Sequence, residues 1–197
     1  MKKYTTYKLK YGKGFCDLCT YDENKNILKS YIAWNNMLAR CYSSKYQNKY
    51  PTYIGCNVCD EWLVFSNFKL FYDLNYKENF HLDKDLLVDG NKVYSPSTCI
   101  FIPLYINNLF TDRGGKRGEY PIGVSYDKKA KNKYKACISI NSDIIHIGMF
   151  PTIESAHLAW LNAKQHYIRT TAINAYMMNH INEITMNAII KKGYNLI

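Results

Sequence analysis

Three groups of residues in this chain have types and spacings that could do chemistry. Cys16 and Cys19 form one C-x-x-C pair, and Cys56 and Cys59 form a second. Two such pairs supply the four thiolates of a tetrahedral structural zinc site. Cys41 and Cys99 offer alternative partners, and reduced thiols buried as small hydrophobes are the other use of such residues. Asp83 and Asp85 share one face of an extended segment, a spacing that could make a metal pair. Between residues 116 and 135, Lys116, Arg117, Lys128, Lys129, Lys131, Lys133 and Lys135 face only Glu119 and Asp127. That net of +5 is half of the chain's formal +10, and it suits contact with phosphates flanking a groove.

The whole composition points the same way. With 26 Lys and Arg against 16 Asp and Glu, the surface presents excess positive charge, which favours a polyanionic partner, nucleic acid first. Nineteen Tyr, three Trp and eight Phe supply core volume and flat surfaces on which bases could stack. A hydrophobic content of 47% is enough for a core and argues against disorder. No apolar run approaches membrane-spanning length, and residues 1–14 lack the apolar stretch of a signal peptide. The expectation is a cytoplasmic protein with no membrane partner. Its odd count of seven cysteines fits metal binding or burial better than disulfides.

The elements that must position these groups predict an α+β fold. Residues 1–28 read as a loosely structured arm broken by Gly12 and Gly14. Tyr31, Trp34, Met37, Leu38 and Cys41 give a helix over residues 30–41, and Trp62, Phe65, Phe68 and Tyr72 give another over 60–72 with Asp60 as N-cap. Residues 80–108 read as an extended stretch, a turn at Asp89-Gly90, a second stretch over 99–102 and a short helix after Pro103. Residues 111–118 are glycine-rich and charged, a linker. Beyond it, "YKACISI" alternates, with Tyr134, Ala136, Ile138 and Ile140 on one side and Lys135, Cys137 and Ser139 on the other. "IIHIGMF" returns antiparallel, and Thr152 caps a helix carrying Ala156, Trp160 and Tyr167 toward the sheet. A last helix over 172–190 would line Ile173, Met177, Ile181, Ile184 and Ala188 on one face. The organisation expected is a Cys- and aromatic-rich module over 1–110, the linker, a DNA-binding domain over 119–170 and a terminal helix over 171–197.

Residues 120–168 resemble the AP-two DNA-binding domain, through Gly123-Val124, Tyr134 before Ala136, the "HIGMF" strand, and the Thr152, Glu154, Ala156 helix start. The resemblance implies a three-stranded sheet laid on double-stranded DNA and backed by one helix, with Ser125, Tyr126 and the lysines at the interface. Arginines on the first two strands of plant members are here Ser125, Asp127 and Ser139, which shifts the expectation from guanine readout to backbone contact. "LDKDLLVDGNKVYSPSTCIFIPLYINN" resembles the HNH (ββα-metal) nucleases of phage homing endonucleases. That implies a Mg or Mn ion on Asp83 and Asn107, with Asp89, Gly90, Asn91 and Lys92 as the turn. Lys84 stands where the family has its general-base histidine, and Cys99 where it has a loop asparagine; His81, on the face of Asp83, could substitute for the base. Two readings follow for a phage-encoded protein in a host cytoplasm. One is a metal-dependent DNA-nicking enzyme; the other is a catalytically dead relative acting as a DNA-binding regulator or as an inhibitor of a host nuclease or defence complex.

Overall fold

The computed structural model describes residues 9–111 and 118–196, and the chain divides into two units, Met1–Leu104 and Tyr105–Ile197. The architecture is mixed α+β, and among the described residues no helix is long and apolar enough to cross a membrane.

The first unit is built around aromatic side chains. Helix α1 (Lys29–Tyr42) buries Trp34, Met37, Leu38 and Cys41, the stripe expected from their spacing. It packs on α3 (Phe65–Asn75), which buries Phe65, Phe68 and Tyr72. Trp34 Nε1 donates to the carbonyl of Trp62 at 2.7 Å, so the ring's one polar atom is satisfied inside the core. The Trp34 and Phe65 rings lie 5.4 Å apart, and Trp62 meets Phe68 edge-on at 5.2 Å. Each large side chain so enclosed contributes about 1.5–3 kcal/mol.

Residues 60–72 do not form one helix. A 3-10 turn (Asp60–Leu63) is followed by a break at Val64, which is extended. The cause is tertiary: Phe15 N donates to Leu63 O at 2.8 Å and Phe65 N to Phe15 O at 3.0 Å, a bridge that draws Val64 out of the helix. Asp60 caps neither piece with its side chain. The same bridge corrects the expected loose arm, because from Lys10 onward the chain, though largely exposed, is held by turns and β-bridges. A turn closed between Lys10 and Gly14 seats Gly14 on α1, where a Cβ would lie 2.3 Å from Leu38 Cδ1 and 2.9 Å from Trp34 Cζ2.

Strand β2 (Phe80–Asp83) pairs antiparallel with β4 (Ile100–Pro103), which runs into the short helix α4 (Leu104–Asn107). The turn at Asp89-Gly90 forms, with Gly90 at φ +68°. The segment between the strands is no plain hairpin loop, however. Its β3 (Val93–Tyr94) pairs in parallel with β1 (Asn57–Val58), and helix α2 (Ser44–Lys49) precedes β1 across a 3-10 turn at Pro51–Tyr53.

The second unit carries an antiparallel sheet of order β5 (Val124–Tyr126), β6 (Tyr134–Ile140) and β7 (Asp143–Phe150). The β6–β7 turn is the pair Asn141-Ser142, both with positive φ, as a two-residue hairpin of the primed type requires. Helix α5 (Ile153–Met177) backs the sheet, opened by a capping box in which Thr152 and Ser155 bond reciprocally. Ala136 and Ile138 point into that contact and are buried, as the alternation predicts. α5 runs past the expected boundary because Ile168, Ala172 and Ala175 continue the buried stripe of Ala156 and Trp160. The chain then turns, with Asn179 at positive φ and Asn182 capping α6 (Glu183–Tyr194). α6 folds back on α5 through Thr185, Ile189 and Gly193, a face different from the expected one: Met177 and Ile184 are exposed.

Gly123 fixes how the sheet meets α5. Its φ is +82°, and a Cβ there would fall 2.0 Å from Trp160 Cδ1. The Gly123 carbonyl accepts from Cys137 N at 2.8 Å, and His157, stacked on Trp160, donates to Ile122 O at 3.1 Å. Gly123→Ala meets both strain and overlap and is expected to cost about 2–5 kcal/mol. Gly90→Ala meets strain alone, since nothing lies within 4 Å of its Cβ, and is expected to cost about 1–2 kcal/mol. Urea midpoints of the two variants compare these directly; equal losses would remove the Trp160 contact from the account.

Candidate nucleic-acid interface

The sheet of the second unit has one face on α5 and one without cover from the described elements. Register places Ser125 opposite Lys135, Lys135 opposite Met149, Cys137 opposite His146 and Ser139 opposite Ile144. These residues share the uncovered face; Ser125, Ser139 and His146 are exposed, and Ile144 is 77% exposed. A register shift between Ala136 and Cys137, which leaves Ile147 unpaired in β7, brings His146 onto this face.

Four of the candidate lysines sit at one end of that sheet, in the 127–133 loop joining β5 to β6. Asp127 N donates to Lys133 O at 2.7 Å and closes the loop, while Asp127 Oδ1 accepts from Lys129 N at 2.9 Å. Lys128, Lys129, Lys131 and Lys133 are all exposed, and none forms an ion pair with a described residue; Lys133 Nζ reaches only the carbonyl of Lys128, at 3.3 Å. Lys135 follows on the uncovered face. Tyr126, 41% exposed, packs with Tyr134 and Tyr120 beside the loop, with ring centroids 5.5 and 6.2 Å away. Lys116 and Arg117 lie outside the described residues.

The Asp83 region belongs to the first unit and is differently built. Asp83 ends β2, half-buried, and its Oδ1 accepts from the backbone N–H groups of Asp85 and Leu86 at 2.9 and 2.7 Å. This carboxylate thus organises the loop that follows it. Lys84 is buried: Nζ donates to Asp85 Oδ1 and, at 2.8 Å, to Asn91 O, and it lies 5.9 Å from the centre of the Tyr94 ring. Asn91 returns the contact, donating to Lys84 O and Val93 O at 2.7 Å. Lys84 is therefore a latch across its own loop. His81 is exposed on β2 opposite Ile102. Asn107 ends α4 in the second unit, its backbone carbonyl 3.5 Å from Thr111 Oγ1.

The cysteines distribute between surface and core. Cys16 and Cys19 turn their Sγ atoms to the carbonyls of Leu18 and Tyr21, at 3.5 and 3.6 Å. Cys41, Cys56 and Cys99 are buried in the aromatic core, where Cys16 and Cys59 pack against it from its margin. Burial pushes the thiols of Cys41 and Cys99 up to about 12. Among the described residues, no group of three or more His, Cys, Asp or Glu side chains is arranged to hold a metal ion. The four cysteines of the two C-x-x-C pairs do not form such a group. No protein-family model, curated protein or solved structure matches the chain.

Two residues escaped the sequence reading. His146 was hidden by the bulge, which alternation cannot reveal. Arg40 was hidden on α1, where its place beside the buried stripe gives no sign that its side chain turns inward.

Removing the latch tests its structural role. Lys84→Ala is expected to destabilise the first unit by about 1–3 kcal/mol, discounted because Asp85 keeps access to water, and urea denaturation measures this. A neutral result would return Lys84 to the candidates for chemistry. For the cysteines, native thiol titration should show Cys19 reacting freely and Cys41, Cys56 and Cys99 only after denaturation. A zinc-to-protein ratio near one, with Cys16 and Cys19 protected until chelator is added, would instead establish the four-thiolate centre.

Proposed function

We propose that this chain binds double-stranded DNA through the 127–133 loop and the uncovered face of the β5-β6-β7 sheet. One observation carries the reading: four exposed lysines without ion-pair partners among the described residues stand at the end of a sheet face that no described element covers. Lysines so placed can release counterions from a phosphate backbone, the main source of affinity for duplex DNA. Ser125, Tyr126 and Lys135 would then lie nearest the groove. A serine hydroxyl offers one donor and no fork, and these strands present no arginine among their described residues, so the contact is mainly to the backbone. Lys116 and Arg117 join this interface by sequence position alone.

The nuclease-derived reading is supported by the antiparallel pairing of β2 with β4 and the helix α4 that follows, with Asp83 ending β2 and Asn107 ending α4, while β3 intervenes between the paired strands. The local chemistry favours its non-catalytic form. Lys84 is buried and engaged where an imidazole base would be needed, and an oxygen of Asp83 is occupied by two backbone donors. A DNA-binding protein from a phage, retaining a nuclease-like order of elements without its hydrolytic groups, is the reading preferred here. Action on a host nuclease or defence complex rests on the resemblance alone.

The salt dependence of duplex binding tests the interface. Replacing Lys128, Lys129 and Lys131 with alanine should flatten the slope of log Kobs against log salt by about one unit per lost contact, roughly two to three in all. An unchanged slope moves the interface elsewhere. In a nicking assay with magnesium or manganese, wild type and Asp83→Ala should both leave supercoiled DNA intact; cleavage by wild type alone would restore the enzyme.

A further inference from the structure

The sheet of the second unit is three strands wide only at the end that carries the lysine loop. β5 spans Val124–Tyr126 and pairs with Tyr134, Lys135 and Ala136, so beyond Ala136 the sheet continues as β6 and β7 alone. This two-stranded ribbon runs to the tight turn at Asn141-Ser142. With strands about 4.8 Å apart and side chains beyond them, such a ribbon fits the major groove of duplex DNA, roughly 12 Å across, and not the minor groove of about 6 Å.

The two faces of the ribbon differ. Ile138 pairs with Ile145 and Ile140 with Asp143 on the side turned to α5, so the Asp143 carboxylate is directed away from the uncovered face. The uncovered face carries the pairs Cys137–His146 and Ser139–Ile144. Ile144 is 77% exposed, the most exposed large apolar side chain among the described residues. Its cross-strand neighbour Ser139 is short, and His146, two residues along on the same face, is itself exposed, so neither shelters it. Side chains of a strand stand roughly perpendicular to the sheet, which aims Ile144 at whatever the ribbon lies upon.

In the major groove the base edges are hydrogen-bonding groups with one exception, the C5 methyl of thymine. An isoleucine pressed on a guanine, cytosine or adenine edge takes donors and acceptors out of water and returns no bond. Against a thymine methyl the same side chain buries apolar surface on both partners. Ser139, beside it, has one hydroxyl that donates or accepts, and so suits the adjoining base edge without selecting it. The lysines hold phosphates whatever the sequence. Ile144 lies opposite Ser139, four residues from Lys135 and so about 13 Å along the ribbon, which separates the apolar contact from the loop that supplies the charge.

We propose that Ile144 contacts thymine methyl groups in the major groove, making A·T pairs at its position the preferred ligand. The proposal rests on the sheet being a duplex-binding surface, and it adds selectivity to a contact whose affinity comes from the backbone.

Two duplexes of one A·T-rich sequence, one with thymine and one with deoxyuridine throughout, differ only in that methyl. At fixed salt the wild-type chain should bind the thymine duplex about three- to fivefold more tightly, the value of one buried methyl. Ile144→Ala should bring the ratio close to one, chiefly by weakening the thymine duplex, and Ile144→Val should keep most of it. Both substitutions are at the surface and should leave Tm unchanged, which thermal unfolding checks. A ratio of one for wild type, or a ratio that survives Ile144→Ala, overturns the proposal. The salt slope separates this from failure of the interface. A slope that flattens on replacing Lys128, Lys129 and Lys131, together with a ratio of one, removes the methyl contact alone. A slope indifferent to those lysines, with a ratio still lost in Ile144→Ala, keeps the ribbon contact and removes the loop. Absence of duplex binding overturns both.

Discussion

In each unit a tryptophan ring presses against backbone that has no side chain. Trp34 closes on Gly14, and Trp160 closes on Gly123, at distances no Cβ could tolerate. The contact has two effects at once. It fills the core with a large flat ring, and it fixes a loop to a helix without using polar groups. In the second unit that loop leads directly into β5, so the position of the sheet on α5 follows from it. In the first unit it brings the chain to Phe15, whose bridge to Val64 sets where α3 begins.

Charge is arranged by a different rule in each unit. The second unit leaves Lys128, Lys129, Lys131 and Lys133 in water on a loop closed by Asp127, where they cost little and remain available. The first takes two cations inward. Lys84 is matched by Asp85 and a carbonyl, while Arg40 lies over the ring of Tyr53 in the Pro51–Tyr53 turn. Lys84 thus serves to hold its own loop, in the β2–β4 connection, closed.

Much of this was legible in the sequence, and the failures have identifiable causes. The period of Trp34, Met37, Leu38 and Cys41 reports α1 because the whole stripe faces one partner. The alternation of residues 134–140 reports β6 because one face is packed and the other open. Thr152 reports its cap because the reciprocal bonds with Ser155 are local. By contrast, the break at Val64 is imposed by Phe15, 49 residues away, and the parallel pairing of β1 with β3 joins segments that carry little strand signal. The terminal face was misread because Ile184 looks more apolar than Thr185, yet Thr185 is the one enclosed, its hydroxyl donating to Asn182 at 2.7 Å. Of the candidate interface, the lysines were legible as charge; that they crowd one end of the sheet depends on where the β5–β6 turn closes.

The two-residue turn at Asn141-Ser142 has a consequence for how the chain acquires its structure. It joins β6 to β7 with almost no chain to close, and α5 follows three residues after β7. Contacts so close in sequence form with little loss of loop entropy, so this sheet and helix can assemble early. The first unit waits on pairings across tens of residues, Phe15 with Val64 and Asn57 with Val93. During synthesis the first unit emerges first, yet the second has the faster route to its native contacts, and the interval exposes the aromatic core of the slower partner.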